Sequence, residues 1–349
     1  MNDDNHSLAG RRVSRRDFLA GAAGALIVGP QLASSRPAPI QGPVLGEGSH
    51  RYECLHNWLT APSGMRFGDT HGVAQDSKGH IYLAHTVHAE SQVQDAICVY
   101  DEAGDFVRSF GADFAGGAHG LDIRREGRTE FLYHCDTKRK LVVKTDLMGK
   151  LVWAIGAPKA SGKYSNGEPF VPTNVCFAPD GGFYVADGYG SSWIHRYDAS
   201  ASYVSTFGGK GSDAGQVNCP HGLWLDTRHK EPMIVVADRS NRRLQYFDLK
   251  GESIGMATEG VRLPCHFSFR NDLMLVPDLE SVVTIMDKNN RVVAQLGDGY
   301  PSALRDRPRS EHINGKFIHP HDAMFLRNGD ILVAEWVPTG RVTLLKKVK

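Results

Sequence analysis

One structural unit recurs six times along this 349-residue chain. Each copy opens on a short segment ending in His-Gly or a close variant and continues into an apolar strand. It turns at Asp-x-x-Gly and runs through a second apolar strand of the Ile-Tyr-Leu-Ala kind. A polar loop, a third strand ending near Tyr-Asp and a fourth ending near Phe-Gly complete it. The copies open at Thr70-His71-Gly72-Val73, Ala118-His119-Gly120-Leu121, Pro172-Thr173-Asn174-Val175, Pro220-His221-Gly222-Leu223, Pro264-Cys265-His266-Phe267 and Pro320-His321-Asp322-Ala323. The aligned residue returns after 48, 55, 47, 45 and 55 positions. A period of this length with four short strands per unit predicts an all-β fold, a six-bladed β-propeller with four-stranded antiparallel blades. No single unit can bury both faces of its own sheet, so the six must pack side by side as one domain. The sixth copy lacks a clear fourth strand. Residues 50–69 are expected to supply it and close the ring.

At the aligned position stand His71, His119, Asn174, His221, His266 and His321, so five of the 16 histidines fall in register. The first strand of each propeller blade lines the central channel, which makes these residues a ring about the axis. A lone histidine there would be accounted for by a bond to a backbone carbonyl under the next blade. Five converging imidazoles are comfortable only around a metal or an anion. Imidazole is the commonest side-chain metal ligand, and three imidazoles with an open fourth position form the pattern of a catalytic zinc site.

Residues 1–35 read as an export signal. Arg11, Arg12 and the pair Arg15-Arg16, followed by Phe18-Leu19, precede a small and apolar run from Ala20 to Gly29, with Ala33-Ser34-Ser35 as the cleavage site. The adjacent arginines predict the twin-arginine route, with that export machinery as a partner and the periplasm or exterior as destination. Residues 36–49 read as a linker and 50–349 as the propeller. The apolar run is too short to span a bilayer, and the mature protein is expected not to cross a membrane. The formal net charge of +1 gives no electrostatic case for nucleic acid as a partner. The cysteines, Cys54, Cys98, Cys135, Cys176, Cys219 and Cys265, include no C-x-x-C pair, which argues against a cysteine zinc site. An oxidising destination permits disulfides. Spacing assigns none, and the cysteines read as small buried strand residues.

From about Gly68 to its end the chain resembles the NHL-repeat propellers, and within them the peptidyl-α-hydroxyglycine α-amidating lyases. The resemblance rests on Pro172-Thr173-Asn174-Val175, Val185-Ala186-Asp187-Gly188-Tyr189, Pro220-His221-Gly222-Leu223, Val236-Ala237-Asp238-Arg239-Ser240-Asn241-Arg242 and Pro320-His321-Asp322. It implies a zinc ion on His119, His221 and His321, from the second, fourth and sixth copies. It also implies a structural calcium on Val73, Leu121 and Asp322, a catalytic Tyr189 and an active-site Arg239. His71, His266 and Asn174 then line the channel outside the metal's own ligands. The implied reaction is C–N cleavage releasing glyoxylate, or a related lyase or hydrolase reaction on a small or peptide substrate. Tyr189 would be the base, its phenol lowered by the metal and by Arg239, and Arg239 would hold a carboxylate.

Two departures from the family pattern stand out. Thr86 occupies the place of a second family arginine, and Gly190, Val235 and Tyr246 stand where the family carries paired cysteines. A reading from another class is a non-catalytic propeller that binds a protein or glycan ligand around a structural metal. The Tyr189/Arg239 pair beside the ring, which a scaffold does not need, separates the two.

Overall fold

The computed structural model describes residues 42–299 and 302–348, so the signal segment 1–35 and residues 36–41 of the linker lie outside the described residues. The strands assemble into six sheets, each one blade. Blade one runs Thr70–Gln75, Ile81–His85, Ile97–Tyr100 and Phe106–Phe110. Blade two opens with Ala118–Glu126, blade three with Asn174–Phe177, blade four with Pro220–Asp226 and blade five with Ser268–Arg270. Blade six is built from Pro320–Phe325, Ile331–Glu335 and Arg341–Lys347, and Tyr52–Leu55 pairs antiparallel with the last of these as its fourth strand. The N-terminal closure expected from the sequence is present. The sheet extends one strand further, because Val44–Leu45, within the stretch read as linker, pairs with Tyr52–Leu55.

The burial pattern explains why the middle strands carry continuous apolar runs. Ile81–His85 and Ile97–Tyr100 are buried throughout, whereas the outer Phe106–Phe110 is partly exposed. A middle strand is covered on both faces by neighbouring blades, so alternation is lost there. Each seam between blades holds its own apolar cluster. The seam that closes the ring packs Val73, Leu83 and Tyr100 of blade one against Leu332, Ala334 and Val342 of blade six.

A second repeated device ties down the segment before the inner strand in five of the six blades. At the end of the second strand an acid accepts backbone N–H groups from the segment leading into its own blade. Asp187 Oδ1 takes Val171 N–H at 2.6 Å, Asp238 Oδ1 takes Asn218 N–H at 2.7 Å, and Glu335 Oε2 takes Ile318 N–H at 2.6 Å. Asp278 Oδ2 takes the N–H groups of Arg262 and Leu263, each at 2.8 Å. In blade one His85 Nδ1 stands in the same role toward Gly68 N–H, at 3.4 Å.

Glu335 also receives Arg341 through two bonds, at 2.9 and 2.5 Å, and Thr343 Oγ1 at 2.6 Å. Burial works against its charge, yet Arg341, then His56, hold the carboxyl down to about 2. Glu335→Ala would leave a buried guanidinium with no acid, held only by Lys316 O, and the Ile318 N–H without its acceptor. The expected cost is about 3–5 kcal/mol, read as a lower midpoint in urea unfolding. An unchanged midpoint would show that the closing blade does not depend on this acid.

Candidate metal centre

In four blades the inner strand is bulged where its histidine stands. Pairing with the second strand jumps between Thr70 and Val73, Ala118 and Leu121, Pro220 and Leu223, and Pro320 and Asp322. A bulge re-aims the side chain it carries, and here it turns His71, His119, His221 and His321 to the axis. Blade three has no such shift at Asn174, and His266 precedes its strand. The glycine after the histidine has its reason in the same geometry. A Cβ on Gly120 or Gly222 would land on the carbonyl oxygen of Thr173 or Cys265 in the next blade.

Those carbonyls fix the tautomers. His119 Nδ1 lies 2.8 Å from Thr173 O, His221 Nδ1 2.8 Å from Cys265 O, and His321 Nδ1 3.1 Å from His71 O. A carbonyl oxygen only accepts, so each Nδ1 carries the hydrogen and each Nε2 presents a lone pair. The bond to a neighbouring carbonyl that could have explained a lone histidine is therefore present, and it leaves the other nitrogen free for the channel. The four imidazoles meet closely. Ring centroids are 4.9 Å apart for His119 and His221, 4.7 Å for His221 and His321, 4.8 Å for His119 and His321, and 4.6 Å for His71 and His321. The ligand nitrogens of His71, His119 and His321 lie within 4.8 Å of one another. His71, expected to line the channel outside the ligand set, thus stands inside the cluster. Burial holds all four below the usual imidazole range, His119 at about 3.

Tyr189 reaches the ring from the loop after Asp187-Gly188. Its hydroxyl lies 3.2 Å from His119 Nε2 and 3.0 Å from His221 Nε2. The residue is 41% exposed as a whole, but the oxygen is the end turned inward. One hydroxyl proton serves two lone pairs, while that of His321 Nε2 faces His71 Nδ1 at 3.4 Å. Two lone pairs sharing one proton leave room for a cation, and three imidazoles fit zinc or a similar ion. Burial pushes the phenol up to about 12 against the pull of Arg239, so without a cation the oxygen is not the lowered base expected from sequence. Arg239 Nη1 lies 3.4 Å from the Tyr189 hydroxyl, its guanidinium 5.2 Å from the ring centre, and its Nη2 3.2 Å from Cys219 Sγ. Among the described residues no carboxylate pairs with it. The axis holds a cavity of about 10 Å³ lined by the ring residues, the room of one small ion or water. A larger cavity of about 340 Å³, lined by Leu59, Met65, Phe67 and Arg309 among others, shares no lining residue with it.

Further along the inner strands the acid of the expected calcium set already has partners within the protein. Asp322 Oδ2 accepts Val73 N–H at 2.9 Å, and Oδ1 takes His266 Nδ1 at 2.6 Å. Asn174 Oδ1 accepts Leu223 N–H at 2.8 Å, which turns its Nδ2 to Asp122 Oδ2 at 2.8 Å and His266 Nε2 at 3.0 Å. Calcium needs six to eight oxygens. Here Asp322, the one acid of the set, is already engaged by an imidazole and by the N–H of Val73. Burial opposes a charge on His266 and Asp322 favours it, while burial raises Asp122 to about 7. This network was not visible in the sequence, although Asn174 and His266 marked its place.

Thr86 contributes only backbone here, its N–H bonding Asp69 O at 3.0 Å. Arg305 stands at that corner instead. Its Nη2 lies 2.7 Å from Asp69 Oδ1, and its guanidinium stacks 3.7 Å over Trp336. The six cysteines are unpaired, and all but Cys219 are buried. No helix among the described residues is long and apolar enough to cross a membrane.

No family model matches the chain. It is 24% identical over 253 residues to a probable peptidyl-alpha-hydroxyglycine alpha-amidating lyase of Caenorhabditis elegans, covering 66% of this chain and 67% of that protein. It is 26% identical over 221 residues to peptidyl-glycine alpha-amidating monooxygenase B of Xenopus laevis, covering 53% of this chain but only 23% of that longer protein. Among solved structures, a streptogramin B lyase superposes with a TM-score of 0.56 at 10% identity, covering 86% of this chain and all of that one. Virginiamycin B lyase from Staphylococcus aureus gives 0.51 at 10% identity, covering 85% of this chain and all of that one. At such identities the structures speak for the propeller fold alone. The sequence likeness carries the resemblance to the amidating lyases.

Proposed function

We propose that this chain is a metal-dependent lyase of the peptidyl-α-hydroxyglycine amidating type, acting on a small substrate with a hydroxyl, a scissile C–N bond and a carboxylate. The observation that carries the reading is the meeting of the His119 and His221 Nε2 lone pairs at the Tyr189 hydroxyl, within a packed ring of histidines and beside a guanidinium that no described carboxylate pairs with. A divalent cation on His119, His221 and His321 would supply the charge that lowers the phenol and polarises a substrate oxygen. Tyr189 Oη stands where it can take the proton of the substrate hydroxyl. As the carbon–oxygen double bond of glyoxylate forms, the C–N bond breaks and the leaving amide nitrogen receives a proton in return. Arg239 offers a planar fork to the carboxylate, which fixes the substrate's register against Tyr189.

The carboxylate is the part of this reading that kinetics test most simply. Arg239→Lys keeps the charge and loses the fork, so it should raise KM more than it lowers kcat. The methyl ester of the same α-hydroxyglycine peptide should be a poor substrate for the wild type. An ester turned over as well as the acid would remove the clamp from the account.

A further inference from the structure

His71 shares the features that distinguish the three expected ligands from the rest of the ring. Its strand is bulged at the same point and, like His119 and His221 though not His321, it is followed by a glycine, Gly72, whose Cβ would meet His119 O and Leu121 of the next blade. It is 7% exposed, and its ring centre lies 4.8 Å from that of His119. It differs in one bond. No carbonyl of a neighbouring blade takes its Nδ1, which instead faces His321 Nε2 at 3.4 Å.

That contact has only one consistent proton arrangement. His321 Nδ1 carries a hydrogen because it bonds the carbonyl of His71 itself, at 3.1 Å. Its Nε2 is therefore a lone pair, and the contact requires the hydrogen on His71 Nδ1. A proton on His71 and a cation in the ring thus compete for one lone pair. When a cation takes His321 Nε2, the hydrogen of His71 has no acceptor there. Shifted to the other ring nitrogen, it leaves Nδ1 as a lone pair aimed at the same cation. His266 has no such freedom, since Asp322 and Asn174 hold both its nitrogens.

We infer that His71 is a fourth nitrogen ligand, contributed by blade one through Nδ1 to the cation held by His119, His221 and His321. This rests on the reading that the ring holds a divalent cation. Four imidazoles complete a tetrahedral zinc set, which is the closed form of a structural site. A substrate oxygen can then bind only to an ion that accepts a fifth ligand. For the proposed reaction the bound ion must therefore take a fifth ligand beside the four imidazoles, and zinc, iron, nickel, cobalt and copper all take imidazole.

Cobalt(II) tests this through its visible spectrum, independently of turnover. Protein stripped with chelator and titrated with Co²⁺ should take up one ion per chain and give the weak absorption of five- or six-coordinate cobalt. His71→Ala and His71→Gln should still take up one ion. Their affinity should fall by at least the 10–100-fold that loss of an outer-shell partner costs, and the absorption should intensify toward that of a four-coordinate ion. Thermal melts of the stripped proteins show that both variants are folded. If the variants keep the wild-type affinity and spectrum, His71 is not a ligand. A wild type that binds no cobalt overturns both this inference and the metal reading beneath it, a result distinct from the first.

Discussion

His221→Ala is expected to yield a folded propeller that no longer retains a divalent ion through dialysis. His221 holds Cys265 O on one side and offers its second nitrogen to the channel at the Tyr189 hydroxyl. Its removal leaves one buried carbonyl without a donor, a cost of about 1–3 kcal/mol that a six-bladed fold should survive. Loss of a direct ligand should weaken metal binding by more than the 10–100-fold recorded for outer-shell partners. Turnover should vanish with the metal. Metal content per chain and a melting curve read the two effects separately. Full metal occupancy in this variant would leave the ion to His71, His119 and His321, whose nitrogens lie within 4.8 Å of one another, and remove His221 from the ligand set.

Tyr189→Phe is expected to separate chemistry from binding. The ring stays, and only the oxygen that bridges His119 and His221 is lost. Loss of a positioned general base lowers kcat by about 10²–10⁴-fold, while metal content and melting temperature should stay near wild type. Equal turnover by the variant would remove Tyr189 as the base and leave the histidine ring untouched. The phenol is pushed up to about 12 by burial, so it holds its proton at neutral pH until a cation is near. A scaffold that only binds a ligand on its top face gives no reason for this pair of groups at the channel.

The blades were legible because a repeat gives register. Six copies placed six aligned residues on the axis, and the incomplete sixth copy pointed to an N-terminal strand, found at Tyr52–Leu55. Register does not give direction. Whether Thr70 or Val73 opposes the second strand decides where His71 points, and that bulge leaves no mark in composition. So His71 read as lining, like Asn174 and His266, whereas its nitrogen lies within 4.8 Å of those of His119 and His321. The partners of Asp322 were hidden for a related reason. His266 is one more ring histidine in the sequence, while in space its Nδ1 meets Asp322, and Asp122 joins through Asn174. Arg305 was missed because it lies in the long connection between Val292–Leu296 and Pro320–Phe325. The 55-residue spacing of that copy marked an insertion without saying which side chain it carries.

The most direct measurement of the central claim is the product ratio from an α-hydroxyglycine-terminated peptide incubated with metal-replete wild-type protein. The account gives glyoxylate and peptide amide in equal amounts, lost on chelation, restored by one divalent ion per chain and strongly reduced in Tyr189→Phe. Metal-loaded protein that releases neither product, or releases them equally well after chelation, would contradict it.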